Sequence, residues 1–253
     1  MATRPLTDGR TQSHREVVRR LAAAQKSNRG AAGWSRWVNR PAGRQLAALA
    51  YRLGLSPNHV TVASAALSGT GIALLATQRP TVGTGLLVAA LLVVGYMLDA
   101  ADGQLARLTG TGSRAGEWLD HVVDATKTAV IHLAVLVSWY RFLDLPDRML
   151  LVPLAFSAVA CVFFFSVILS EQLRRSAHAA LGAPTTRPAS EPAPVLRSLV
   201  VLPGDYGILC VSFALLGFSA VFVPLYTLLM VANALLLLAA LVRWYREMRT
   251  LTA

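Results

Sequence analysis

Charge is what this 253-residue sequence has little of, and acidic charge is scarcest: 13 Asp and Glu stand against 24 Lys and Arg. Only 15% of residues are charged and 55% are hydrophobic, so the chain does not read as an ordinary soluble domain. With a mean hydropathy of +0.51, it reads as a polytopic membrane protein. There are two cysteines, Cys161 and Cys210, both inside apolar runs, where a small hydrophobic thiol is the expected role rather than a disulfide or a metal pair. The first 50 residues hold no apolar stretch ahead of a small-residue cleavage site, so no removable signal peptide is expected. No internal repeat is visible, which argues against a transporter built from inverted halves. The net charge of +11 does not indicate nucleic-acid binding, because the basic residues collect between the apolar runs, where they set topology.

What the chain does have is membrane-length apolar runs. Six are expected to cross the bilayer, at about 58–77, 82–102, 117–139, 149–171, 205–221 and 223–242, each near the ~20 residues that a span needs. The boundary between the last two is drawn at Val223 and Pro224. Residues 1–33 form a basic arm with a capping-box spacing from Ser13 to Glu16. Residues 34–54 predict an amphipathic helix on the membrane surface, with Leu46, Leu49 and Leu53 on one side and Arg36, Arg40 and Arg44 on another. The fold expected is therefore an all-α integral membrane protein of six transmembrane helices behind an N-terminal amphipathic interfacial helix. The six-helix domain covers 55–246, with a flexible Pro-rich loop at about 176–202 and a tail at 247–253. With the N-terminus inside, the cytoplasmic segments carry twenty Lys and Arg against three outside. That imbalance predicts both termini in the cytoplasm.

Against this background the stretch "MLDAADGQLARLTGTGSRAGEWLDHVVDATK", Met97 to Lys127, carries four aspartates at or inside apolar spans. A carboxylate at a helix centre costs roughly 2.5–3.5 kcal/mol on insertion scales, so four together require a common compensating charge. Asp99 and Asp102 are three residues apart, and Asp120 and Asp124 four apart, so each pair shares a helix face. The two spans are expected to be antiparallel neighbours, with the pairs meeting at one depth on the cytoplasmic side. Arg107 and Lys127 do not suffice to neutralise four carboxylates. A pair of divalent ions does, and clustered Asp oxygens suit Mg2+ or Mn2+ in a two-metal site for phosphoryl transfer. Gly103 and Gly116 remove side chains where a ligand or a second helix comes close, and Arg107 offers a fork of donors to a phosphate.

The spacing Asp99, Asp102-Gly103, Ala106-Arg107, Gly116, Asp120, Asp124 resembles, without a departure, the signature of the CDP-alcohol phosphotransferase family. The resemblance extends over roughly residues 34–242. It implies that Asp99, Asp102 and Asp120 hold metal ions and that Asp124, also near a metal, is the base for the acceptor hydroxyl. It further implies that Gly103 and Ala106 make room for a cytidine nucleotide, that Gly116 also adjoins the nucleotide, that Arg107 lies by its diphosphate, and that the enzyme is a homodimer among membrane lipids. "SPNHVT" resembles a further family element, in which Asn58 and Thr61 hydrogen-bond the nucleotide; as residues, they equally suit the start of a helix opened by Pro57.

The reaction implied is transfer of a phosphatidyl group from a CDP-alcohol, CDP-diacylglycerol by resemblance, to an acceptor alcohol with release of CMP. Inositol phosphate, glycerol phosphate, serine and a second lipid stay open as acceptors. Arg174 and Arg175 are candidates for an acceptor phosphate or are simple flanking charges, and Asp205 either contacts the acceptor or caps a helix. The alternatives are transfer of a CDP-linked polar head group to a lipid alcohol and, from another class, a divalent-cation transporter. The transporter requires a polar path that "LLVAALLVVGY" and "AVIHLAVLV" do not supply.

Overall fold

The computed structural model describes residues 13–23, 32–180 and 195–251. Its regular structure there is helical throughout, with no strand among the described residues. Five helices are long and apolar enough to cross a membrane: α3 (Pro57–Thr77), α4 (Val82–Thr109), α5 (Arg114–Phe142), α6 (Leu151–Ala180, preceded by a 3-10 turn at Asp147–Leu150) and α9 (Ser219–Thr250). Short helices complete the set: α1 (His14–Ala23), α2 (Arg40–Arg52), α7 (Val195–Val200) and α8 (Tyr206–Ser212). The central part of the Pro-rich loop, 181–194, lies outside the described residues, and helix covers 176–180 and 195–200 on either side of it.

Local chemistry sets the helix ends. Ser56 caps α3, its hydroxyl accepting from the His59 N–H at 3.3 Å while the Ser56 N–H donates to His59 Nδ1, with Pro57 at the first turn. Helix α4 stops at Gly110, which takes the left-handed conformation (φ 68°). Three residues later Ser113 opens α5 by accepting from the Gly116 N–H at 3.0 Å. The turn between the two halves of the aspartate motif is thus fixed by one glycine and one serine.

Three features differ from the sequence expectation. The predicted boundary at Pro224 falls inside α9; the chain instead breaks at Gly217 and Phe218. A Cβ on Gly217 would run into the backbone at Val82, so the break forms where only glycine fits between the last helices and the start of α4. The segment expected as a fifth span is accordingly a short apolar helix over Tyr206–Leu215, ending in a 3-10 turn at Phe213–Leu215.

The second difference concerns α2. It buries Gly43, Ala47, Ala48 and Ala50, and Gly43 lies so close to α4 that an added Cβ would sit 3.0 Å from the Met97 carbonyl oxygen. Of the expected apolar side, Leu49 and Leu53 are exposed and Leu46 packs partly against the protein; the small-residue face toward α4 was not expected. Small residues win the protein side because they let two helix backbones approach. A π-helical turn at Ser35–Asn39 leads into α2. The basic arm adds α1, with Ser13 accepting from the Glu16 N–H and Val17 and Leu21 packed with Ala101 and Leu105 of α4.

The third is the arrangement of the motif helices. α3 packs along both α4 and α5, whereas α4 and α5 make few close backbone approaches to each other. The two aspartate-bearing helices are therefore held apart by α3 and face each other across a gap. The main core, built from residues such as Leu75, Leu92, Trp139, Phe213, Phe222 and Tyr226, fills the other half of the bundle.

Candidate active site

Helical spacing brings the carboxylates together as the sequence required. Asp99, Asp120 and Asp124 each offer an oxygen, and the three oxygens lie within 4.8 Å of one another. Asp102 is turned toward α3: it is 6% exposed, and its Oδ2 accepts from the Thr61 hydroxyl at 2.6 Å. Thr61 therefore anchors a motif carboxylate, a partner the sequence did not suggest for it.

Lys127, which sequence reasoning counted only among nearby cations too few to balance the carboxylates, has a specific place. Its ammonium lies 2.6 Å from Asp99 Oδ1 and 2.7 Å from Asp124 Oδ1, and its side chain is 9% exposed. It thereby joins α4 to α5 across the gap with two charge-assisted contacts. The signal available beforehand was its position, three residues after Asp124 and alone among apolar neighbours on the α5 face.

Four carboxylates against the cations of Lys127 and Arg107 leave a formal excess of two negative charges. The excess sits on hard oxygen donors, the chemistry that divalent Mg2+ or Mn2+ prefers, so the residues present fit a divalent-metal centre.

A cavity of about 700 Å3 opens beside the carboxylates, between the start of α3, the end of α4 and the start of α5. Asn58, Thr61, Gly103, Ala106, Arg107 and Gly116, the six positions expected around the nucleotide, all line it, as do Asp102 and Asp120. At Gly103 an added Cβ would meet only the Arg107 guanidinium, at 3.4 Å. No other described residue comes within 4 Å of it. At Gly116 it would approach Asn58 Oδ1 to 3.2 Å, so this glycine serves the α3–α5 contact.

The remaining candidates separate. Arg175 reaches the cavity rim, where it pairs with Glu117 at 2.6 Å and Glu171 at 3.2 Å. Arg174 points to Glu171 at 3.0 Å and Glu247 at 3.1 Å and is not part of the cavity wall. Asp205 is buried and caps α8, accepting from the Gly207 N–H at 3.0 Å and from the Ser35 N–H at 2.8 Å. It adjoins a separate cavity of about 210 Å3 with His132 and Asn233. His132 itself is a core residue, hydrogen-bonded to the Tyr226 hydroxyl at 2.6 Å and stacked on Phe156.

Comparison with known proteins places the chain in a family. The family described as CDP-alcohol phosphatidyltransferase matches residues 54–245, and the chain belongs to that family. The archaetidylinositol phosphate synthase of Pyrococcus horikoshii is 37% identical over 91 residues, which are 34% of this chain and 46% of that protein. The chain thus spans about half the length of the curated relative it matches. A crystal structure of the Mycobacterium tuberculosis phosphatidylinositol phosphate synthase with CDP-DAG bound is similar at a TM-score of 0.47 and 22% identity, covering 85% of this chain and 93% of that one.

Proposed function

We propose that this protein transfers a phosphatidyl group from CDP-diacylglycerol to the hydroxyl of a phosphorylated acceptor alcohol, inositol phosphate or glycerol phosphate, releasing CMP. One observation carries the reading: a carboxylate cluster adjoins a cavity lined by all six residues that the motif assigns to the nucleotide. The relative from Pyrococcus horikoshii, an archaetidylinositol phosphate synthase by name, makes inositol phosphate the first acceptor to test.

In the mechanism, Gly103 and Ala106 leave room for the cytidine nucleotide, Asn58 and Gly116 bound the same space, and Arg107 offers donors to the diphosphate. Asp99, Asp102, Asp120 and Asp124 would hold two divalent cations, which supply charge neutralisation at the diphosphate and at the departing CMP. Asp124 takes the proton of the acceptor hydroxyl. The hydroxyl oxygen forms a bond to the lipid-side phosphorus as the bond from that phosphorus to the CMP oxygen breaks. The carboxylates lie too close together to titrate separately, so the base is best regarded as the Asp120–Asp124 side of the cluster acting through Asp124. Lys127 holds Asp99 and Asp124 in register. Arg175, released from Glu117, is the cation at the rim suited to an acceptor phosphate.

The protein would act as a multi-pass protein of the cell membrane, with its termini and cavity on the cytoplasmic side. Twenty of the Lys and Arg residues fall on that side in this arrangement and three on the other. We take Tyr206–Leu215 as the sixth crossing, because the chain leaves the Tyr96 level at Tyr206 and reaches the start of α4 at Gly217. Helix α2 would lie at the interface, its exposed Leu49 and Leu53 in the lipid. A homodimer is the assembly the family resemblance implies.

The test is CMP release by purified protein with Mg2+ or Mn2+, CDP-diacylglycerol and a panel of acceptors. Acceptor-dependent CMP is expected, with Asp124→Asn abolishing turnover while CDP binding persists. Absence of CMP with every acceptor would refute the proposal, and retained turnover in the variant would remove Asp124 as base.

A further inference from the structure

Helix α1 lies well ahead of the family match, which begins at residue 54, yet it is part of the packed molecule. Val17 and Leu21 are 0% and 1% exposed, buried in one cluster with Ala47 and Ala48 of α2 and Ala101 and Leu105 of α4. His14 Nε2 adds a contact of 2.8 Å to Gln45 Oε1 of α2. A helix of ten residues is too short to be stable in water by itself, so α1 is helical because it is docked. The stretch of α4 that it covers has two faces. Asp102, Gly103, Ala106 and Arg107 line the cavity of about 700 Å3. On the other face Ala101 and Leu105 pack against α1 and α2, and Gln104, 2% exposed, donates from Nε2 to the Arg40 carbonyl of α2 at 3.1 Å. Helix α5, across the cavity, makes few close backbone approaches to α4 and gives this segment little support from the front. The cavity wall is therefore held from the side by α3 and from behind by α1 and α2.

We propose that α1 is a positioning element of the nucleotide site: docked through Val17 and Leu21, it holds the last turns of α4 so that Gly103, Ala106 and Arg107 keep their place across the cavity from α5. The inference rests on the nucleotide reading of that cavity given above and assigns a role to a segment outside the matched family region. α1 touches no ligand and acts through α4. A helix that forms only when docked is released as a unit. Release uncovers Ala101 and Leu105 and lets the last turns of α4 shift. Arg107 then samples positions away from the diphosphate, and a misplacement of about 1 Å costs up to ~100-fold in rate. The acceptor side of the cavity rim, where Arg175 of α6 pairs with Glu117 of α5, does not involve α1 or α4, so the effect is confined to the donor.

Leu21→Ala in the full-length chain provides the test, read by CDP affinity in calorimetry with Mg2+ present and by KM for donor and acceptor. The expected result is a rise of roughly 2- to 30-fold in the CDP Kd, the range that substitutions distant from a ligand produce through a packed network. The donor KM should rise with it and the acceptor KM should not change. Leu21→Met, which refills the same space with an unbranched side chain, should restore both values. Phe213→Leu is the control for a purely structural loss: Phe213 is fully buried at the opposite end of α4, beside Gly85, and its variant should lower Tm while leaving the CDP Kd as in wild type. Val17→Ala removes less from the same face of α1; it should give the same pattern at smaller amplitude, and it replaces the leucine variant if that one does not fold. A CDP Kd unchanged in the α1 variants, or raised as much by Phe213→Leu, overturns the proposal, as does an acceptor KM that rises in step with the donor KM. Wild-type protein that binds no CDP would sink the nucleotide reading and this inference with it, whereas wild-type binding beside unmoved variants sinks the inference alone.

Discussion

Lys127 offers the sharpest test of how the carboxylates are held. Its ammonium makes contacts of 2.6 and 2.7 Å with Asp99 and Asp124, whose side chains are 17% and 27% exposed. Lys127→Met keeps an unbranched side chain of similar length and removes only the charge. Taking one partner from a buried ion pair costs ~3–5 kcal/mol, because the carboxylates left behind face each other without compensation. For a domain of this size each kcal/mol moves Tm by about 2–4 °C, so in EDTA the variant should melt roughly 6–20 °C below wild type. Divalent cations reverse the deficit. The lysine and a metal ion compete for the same carboxylate charge, so its removal should tighten metal binding, and saturation at 100-fold over Kd returns ~2.7 kcal/mol. Thermal melts of the detergent-solubilised protein with and without Mg2+ or Mn2+ measure both effects. A variant that melts with wild type in EDTA, or gains no more from the metal than wild type does, would refute the account of Lys127 as the cation that holds the cluster in the metal-free state.

Two further outcomes follow from the geometry. Gly103→Leu should leave Tm within about 2 °C, because only the mobile Arg107 guanidinium lies near the added Cβ, while CDP affinity in calorimetry falls by tenfold or more, about 1.4 kcal/mol. Asp205→Ala removes the α8 cap and the acceptor for the Ser35 N–H; a loss of about 0.5–2 kcal/mol is expected for the cap alone, read as a lower Tm. Its KM for the acceptor alcohol should be unchanged, and a rise in that KM at constant Tm would assign Asp205 to the acceptor instead.

The aspartate spacing was legible in the sequence because a helix converts separations of three and four residues directly into a shared face. That the six positions expected around a nucleotide line one cavity has the same origin, since they lie on three adjoining helix ends. What periodicity does not encode is which helices touch. The motif helices were expected as direct neighbours, but Ser64 and Ser68 are small enough for α3 to pack closely on α4, with the Ser64 hydroxyl bonded to the Gly95 carbonyl at 2.8 Å. The small-residue face by which α2 docks on α4 went unseen for a related reason. Leucines mark an apolar side, yet in a membrane protein the apolar side also faces lipid, and the protein-facing side is chosen by size. Pro224 suggests a boundary because proline interrupts helices, but it sits inside α9, and the close approach of Gly217 to Val82 that sets the real break is a tertiary fact.

The alternating charges Glu117, Arg175, Glu171, Arg174 and Glu247 run as one row from α5 across α6 to α9. The carboxylate cluster, and all of the cavity wall except Arg175, is synthesised by residue 127, but the row that braces the cavity rim ends near the C-terminus. In order of synthesis, the reaction centre is therefore built in the first half of the chain and its doorway is framed only when the last helix has been inserted.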